Sequence, residues 1–182
     1  MRGRSTLLTA LVLGGLAHAE AKEAVISVSG NGTYSLKASE VADGSCHVEV
    51  SQESQVAWAL DKCLGTPSDL YFISNDGGRV WVLKSTPEKP ARPKAGGKKE
   101  MVPWAAVPVA VLYDKEGKIV ASRRLLDLVP AKSREKVIQL EHHFKWLEGV
   151  AGVPGKGPRV TDLGVVELES VGGKTYRLPF SG

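Results

Sequence analysis

The chain has 182 residues, 24 Lys and Arg against 20 Asp and Glu, a formal charge of +4, and a 42% share of hydrophobic residues. So small a positive excess leaves no electrostatic footprint for a nucleic-acid partner, and the length suits one domain with a sizeable core rather than two. The only two cysteines are Cys46 and Cys63, an even count that in an exported chain reads most simply as one disulfide.

Residues 1–19 read as a cleavable secretory signal peptide. Arg2 and Arg4 form a positive start, Leu7 to Leu16 is uncharged and about ten residues long, and Ala17-His18-Ala19 puts small residues where a signal peptidase inspects them. The apolar run falls short of the roughly 20 residues that span a bilayer. No Cys stands at the cleavage point for lipidation, and Gly3 separates the two arginines. Cleavage after Ala19 would leave 163 residues and, with Arg2 and Arg4 gone and no acid lost, a charge of +2. The expectation is a secreted or periplasmic domain spanning 20–182.

The mature sequence opens on a hairpin. Ile26 and Val28 share one parity, Asn31-Gly32 supplies a turn that favours positive φ at both central residues, and Tyr34 and Leu36 return. Next, Val48 and Val50 alternate with polar residues, as do Val56, Trp58 and Leu60 beyond Ser51-Gln52-Glu53-Ser54. Cys46 and Cys63 bracket this second hairpin near its open end, so in an exported chain they are expected to pair. Closing a loop of this length stabilises by roughly 3 kcal/mol in the chain-entropy model. The Cys-X-X-Cys spacing of a redox pair is absent.

Three more strand–glycine–strand units follow: Leu70–Ile73 with Arg79–Leu83 around Asn75-Asp76-Gly77-Gly78, Val109–Tyr113 with Lys118–Ala121 around Asp114 to Gly117, and Val166 and Leu168 with Tyr176, Leu178 and Phe180 around Gly172-Gly173. Val109–Tyr113 is apolar on both faces, which places it inside a sheet. Gly32, Gly77, Gly117 and Gly173 recur roughly 40 to 56 residues apart, near the length of a propeller blade. Ser74-Asn75-Asp76-Gly77, the turn Tyr113 to Lys118, and the stretch from Val109 through Leu125-Leu126-Asp127-Leu128 resemble exported bacterial β-rich proteins of unassigned activity with propeller-blade-like hairpins. The resemblance implies a β-rich envelope or secreted protein and supplies no catalytic residue.

The fold expected is therefore all-β, built mainly of antiparallel hairpins in a propeller-like or sandwich-like arrangement, with one amphipathic helix near residues 133–148. Ser133 would cap that helix, Gly149 would end it, and Val137, Leu140, Phe144 and Leu147 would form its buried stripe.

Residues 84–103 differ in kind, with four prolines and Gly96-Gly97, and read as a flexible exposed loop. Lys84, Lys89, Arg92, Lys94, Lys98 and Lys99 face only Glu88 and Glu100 there. Lys89, Arg92, Lys94, Lys98 and Lys99 are thus candidate contacts for an anionic partner, with a solvated loop as the ordinary alternative. No aromatic residue is interleaved between Lys84 and Glu100, against single-stranded nucleic acid.

Other motifs carry less. Gly173-Lys174-Thr175 ends like a P-loop, but a strand follows where a helix is required. Gly149, Gly152, Gly155 and Gly157, with Lys156 and Arg159, follow a helix C-terminus that repels anions. His142 and His143, adjacent on a helix, would point about 100° apart and cannot form an i, i+4 metal pair. No Gly-X-Ser-X-Gly places a serine nucleophile. Asn31-Gly32-Thr33 matches the N-glycosylation pattern.

No metal, cofactor or catalytic residue is called for. The reading is an exported non-enzymatic β-rich domain that acts through surface contacts, as a binding or envelope-associated structural protein touching an anionic polymer, a membrane surface or an envelope protein. The alternative is an exported hydrolase whose carboxylate pair, drawn from Asp61, Asp69, Asp114, Asp127, Asp162, Glu167 and Glu169, is assembled by the fold.

Overall fold

The computed structural model describes residues 24–40, 44–89, 103–149 and 157–182, excepting the side chains of 103 and 104. The signal-peptide reading over 1–19 lies outside these residues. The fold is all-β, with antiparallel pairing throughout the described strands.

Two four-stranded meanders form first. β1 (Ala24–Val28), β2 (Tyr34–Glu40), β3 (Cys46–Gln52) and β4 (Gln55–Leu60) pair in chain order, as do β5 (Leu70–Ile73), β6 (Arg79–Leu83), β7 (Pro108–Asp114) and β8 (Ile119–Arg124). After a short helix α1 (Leu125–Leu128) come the two-residue strands β9 (Ile138–Gln139) and β10 (Phe144–Lys145), then a three-stranded meander of β11 (Arg159–Val160), β12 (Val165–Ser170) and β13 (Lys174–Pro179). All the hairpins read from the sequence are present.

In the central sheet, β5–β8, the first three strands are buried on both faces, while the edge strand β8 is largely exposed. Tyr71, Ile73, Val80 and Val82 pack with Leu36, Ala38, Val48 and Val50 of the first sheet. The opposite parity, Phe72, Trp81, Leu83, Ala110 and Leu112, packs with Phe144, Trp146, Val166, Leu168, Leu178 and Phe180. The continuous apolar runs of β6 and β7 are what this demands, and β7 does lie inside the sheet. Trp81 and Trp146 are fully buried, and each indole N–H is satisfied across a layer, Trp81 by the carbonyl of Pro179 (3.1 Å) and Trp146 by that of Lys84 (2.7 Å).

The first strands of the three meanders converge: β1 and β11 both contact β5. Their turns meet at one end. Ser29 and Ser74, both buried, build the same turn twice. Each hydroxyl donates to the residue two places on (Asn31 Oδ1, 2.8 Å; Asp76 Oδ1, 2.5 Å) and accepts from the returning strand (Tyr34 N, 2.9 Å; Arg79 N, 3.0 Å). Asn75 joins the turns, accepting from Asn31 N at 3.0 Å and donating to the Asp162 carbonyl at 3.1 Å. Gly30 is required by contact rather than by φ, since a Cβ there would run into the Thr161 carbonyl.

Two expectations change. The helix near 133–148 is absent. Residues Ala131–Lys136 form a 3-10 helix, and β9 and β10 form a hairpin with His142 and His143 in its turn. Phe144 and Trp146 are buried and Lys145 is exposed between them, a period of two; Leu140, expected in the stripe, is 42% exposed. The backbone donors go to other segments: Phe144 N to Pro87 O, Glu148 N to Glu169 O. Pairing with these neighbours outweighs a helical spacing that Val137 and Phe144 satisfy by chance. The Asn31-Gly32 turn also has positive φ only at Gly32, because the Asn31 side chain is spent accepting from Ser29 and Thr33. The doubly left-handed turn falls instead at Glu53 (φ 48°) and Ser54 (φ 69°) between β3 and β4, with no glycine.

Cys46 and Cys63 are joined, Cα atoms 4.8 Å apart, across the open end of the β3–β4 hairpin. Replacing both by Ser should lower unfolding stability by about 3 kcal/mol, read as a lower urea midpoint; an unchanged midpoint would show the bond to be dispensable. Ser54→Gly should raise stability by about 1 kcal/mol, because the left-handed conformation costs an L-residue about that much and glycine little.

Candidate functional site

The predicted contact residues fall mainly outside the described part of the chain. Arg92, Lys94, Lys98 and Lys99 lie there; Lys89 is half-buried and its N–H donates to the His142 carbonyl at 2.7 Å. What the structure does describe is a groove at the foot of that segment.

One wall is the turn Thr66-Pro67-Ser68-Asp69, which leads into β5. Asp69, 8% exposed, closes the turn by accepting at Oδ2 from both the Thr66 N–H (2.8 Å) and hydroxyl (3.1 Å). The other wall is the chain leaving β6. Lys84 N donates to the Val109 carbonyl, the Ser85 hydroxyl donates to the Ser68 carbonyl at 3.0 Å, and Glu88 pairs with His143 in an antiparallel bridge. The space between has a volume of about 520 Å³, with Thr66, Ser68 and Thr86, Lys84, Asp69, Glu88 and His143 among its lining groups. Pro87 and Val107 supply apolar surface. A hollow beside the disulfide, lined by Ala38, Cys46, Leu64 and Tyr71 among others, is only about 10 Å³, at most one water.

The negative charge of Asp69 is felt inside the fold. Burial first, then Asp69, pushes the Tyr71 phenol well above its ordinary value, and the same causes raise Tyr113. Tyr71 stays neutral and donates to the Thr66 carbonyl at 3.3 Å, bracing the groove wall from behind.

The seven candidate acids have separate places. Asp61 binds His47 Nδ1 at 2.7 Å on the outer face of the first sheet. Asp114 accepts from Glu116 N and Lys118 N in its turn, Asp127 from Arg124 N at the start of α1, and Asp162 sits in the β11–β12 turn. Glu167 is held by Arg159 (2.8 Å) and Arg177 (3.1 Å), while Glu169 lies on β12 opposite Thr175. Asp69 alone of the seven lines the groove, which it shares with Glu88. Among the described residues no group of three or more His, Cys, Asp or Glu could hold a metal ion. The Asn31 amide nitrogen donates to the Asn75 carbonyl at 3.2 Å within the turn cluster.

Sequence reasoning did not bring Thr66, Glu88 and His143 together. Thr66-X-X-Asp69 carried a readable signal, the spacing at which a side chain closes a turn on its own backbone; the meeting of Glu88 with His143 is a long-range pairing with none.

Compared with known proteins, the chain matches no family model, no curated protein and no solved structure.

Among the described residues three carboxylates sit below their ordinary range: Asp76 through the Ser74 hydroxyl and Gly78 N–H, Asp127 through Arg124, and Glu167 through Arg177 and then Arg159. A depressed carboxylate favours the folded state above its unfolded pKa, and that favour is lost as pH falls through the folded value. Stability should therefore hold near neutral pH and decline below about pH 4. Glu167→Gln should flatten part of that decline in urea midpoints measured from pH 6 to 2.5; an unaltered slope would remove the Arg–Glu–Arg cluster as a contributor.

Proposed function

We propose that this chain is an exported, non-catalytic β-rich domain that holds an acidic polysaccharide, the sugar hydroxyls lying in the groove and the acidic groups meeting Lys89, Arg92, Lys94, Lys98 and Lys99. The observation that carries the reading is the composition of the groove: hydroxyl, carboxylate, ammonium and imidazole groups interleave with Pro87 and Val107, the mixture that hydrogen-bonds a polyol while covering its apolar faces. Two neighbouring facts support it. Lys84 and Glu88 lie in or beside the segment that carries the excess of positive charge. Asp69 has one carboxylate oxygen committed to Thr66, which suits a fixed acceptor better than a proton-transfer group.

Export is supported by the reading of residues 1–19 and by the disulfide. No helix among the described residues is long and apolar enough to cross a membrane.

The test is binding of residues 20–182 to polygalacturonate by calorimetry across a salt series. Affinity should fall steeply as salt rises, the triple variant Lys94→Gln/Lys98→Gln/Lys99→Gln should lose most of it at low salt, and Thr86→Ala with Glu88→Gln should weaken what remains at high salt by about tenfold, the loss of one or two hydrogen bonds. Binding that ignores salt, or no binding at all, would overturn the proposal.

A further inference from the structure

The inner face of the first sheet is spent on the central sheet, but its outer face is not covered by any described element. Three rows of side chains cross it. Cross-strand pairing puts Ile26 beside Lys37, Lys37 beside Glu49 and Glu49 beside Ala59; in the next row Val28, Ser35, Ser51 and Val56 follow one another. Ala24, Ser39 and His47 form the third. The apolar groups stand on the two edge strands and are strongly exposed, Ile26 at 71%, Val28 at 50% and Val56 at 57%. Of the charged groups, Lys37 and Glu49 stand on the two middle strands, while Asp61, just beyond the end of β4, reaches back to His47 at 2.7 Å. Apart from Asp61, the edge strands carry apolar groups where a solvated face would place charges.

We infer that this face binds a second copy of the same chain. The pattern is self-complementary under one particular symmetry. A two-fold axis running along the strands, between β2 and β3 and in the plane of contact, sets β1 against the partner's β4 and β2 against its β3, with each row facing the same row. Lys37 then faces Glu49 of the partner subunit and Glu49 faces the partner's Lys37; Ile26 covers the partner's Ala59, and Val28 the partner's Val56. An axis running across the strands would set Lys37 on Lys37 and Glu49 on Glu49, so the charges reject it. Face-to-face packing of two such sheets is an ordinary way to bury apolar side chains.

The size of the face sets the strength. Four strands about 4.8 Å apart and three rows about 7 Å apart give a patch roughly 20 Å on a side, at the low end for a specific interface. The dimer is accordingly weak, formed at micromolar concentrations and above. None of the face residues lines the groove, so the inference stands apart from the polysaccharide reading.

Sedimentation equilibrium of residues 20–182, at concentrations up to about 0.5 mM, should show self-association of the unaltered chain. Lys37→Glu and Glu49→Lys should each remain monomeric, because each sets two pairs of like charges face to face. An equimolar mixture of the two variants should associate again, since across the two-fold every charge then meets its opposite. Circular dichroism on each variant checks that it is folded, and the mixture separates a contact between copies from any weakening of the sheet within one copy. A monomeric unaltered chain, single variants that associate as it does, or a mixture of folded variants that stays monomeric would each overturn the inference.

Discussion

The structure depends on three strands that have no solvent face. Strands β5 to β7 bury both parities, so the central sheet can only exist between two others, and the chain must supply a partner before it and another after it. Fully burying a Leu, Ile, Val or Phe side chain contributes about 1.5 to 3 kcal/mol, and this sheet places such side chains in both cores. The constraint also acts on polar atoms. Trp81 can occupy the centre of one core only because β13 presents the Pro179 carbonyl to its indole, and Trp146 only because the chain leaving β6 presents that of Lys84. Trp58 repeats the device at the other core, donating to the Gly77 carbonyl at 2.7 Å. Each of these three tryptophans thus joins two segments by apolar contact and by one directed bond.

The convergence of the turns follows from the same stacking. When three meanders lie face to face with their first strands in contact, the loops that leave those strands are brought to one end, where buried backbone groups must find partners. Ser29, Ser74 and Asn75 provide them, and an additional anchor comes from Arg79, whose guanidinium donates to the Phe180 carbonyl at the far end of the chain. Glycines at 30 and 164 let the turns approach, since a side chain at either would meet the Thr161 carbonyl or Asn75. This end of the molecule is a structural clasp, and its polar residues are occupied in holding it.

Local features of this kind were legible in the sequence to the extent that they are local. Alternation at Val48 and Val50, the apolar run 109–113 and the turn glycines each specify a strand or a reversal by steric means that do not depend on the rest of the chain. Cys46 and Cys63 could be paired because the hairpin between them brings their backbones together. The segment 133–148 fails this test. Val137 and Phe144 sit seven residues apart, a spacing shared by two helical turns and by an irregular path, and what decides between them is the backbone of Pro87 and Glu169, remote in sequence. The groove was hidden for the same reason: Asp69 and Glu88 are brought to the lining of one groove by β5, β6 and a bridge to His143, and only Thr66-X-X-Asp69 announces itself locally. Turn spacing conveys how many strands there are, not how one sheet is set upon the next.

The central sheet also explains why the proposed contact surfaces lie where they do. Because β5 to β7 are enclosed, nothing on their faces can reach a ligand, and only the ends of the sheet, its edge strand β8 and the outer faces of its neighbours remain for contact. The groove forms at one such end, where the chain enters β5 through Asp69 and leaves β6 through Lys84, and where Pro87 and His143 of the β9–β10 turn complete the lining. The outer face of the first sheet is a separate surface, flat and free of groove residues. A pair of copies joined through it would carry two grooves on one rigid body, and a polymer long enough to span both would be held at an effective concentration set by their fixed separation rather than by two independent encounters. Weak association between copies and weak grip in each groove are then sufficient together, since each makes the other more favourable on a shared chain and neither has to be strong on a free one.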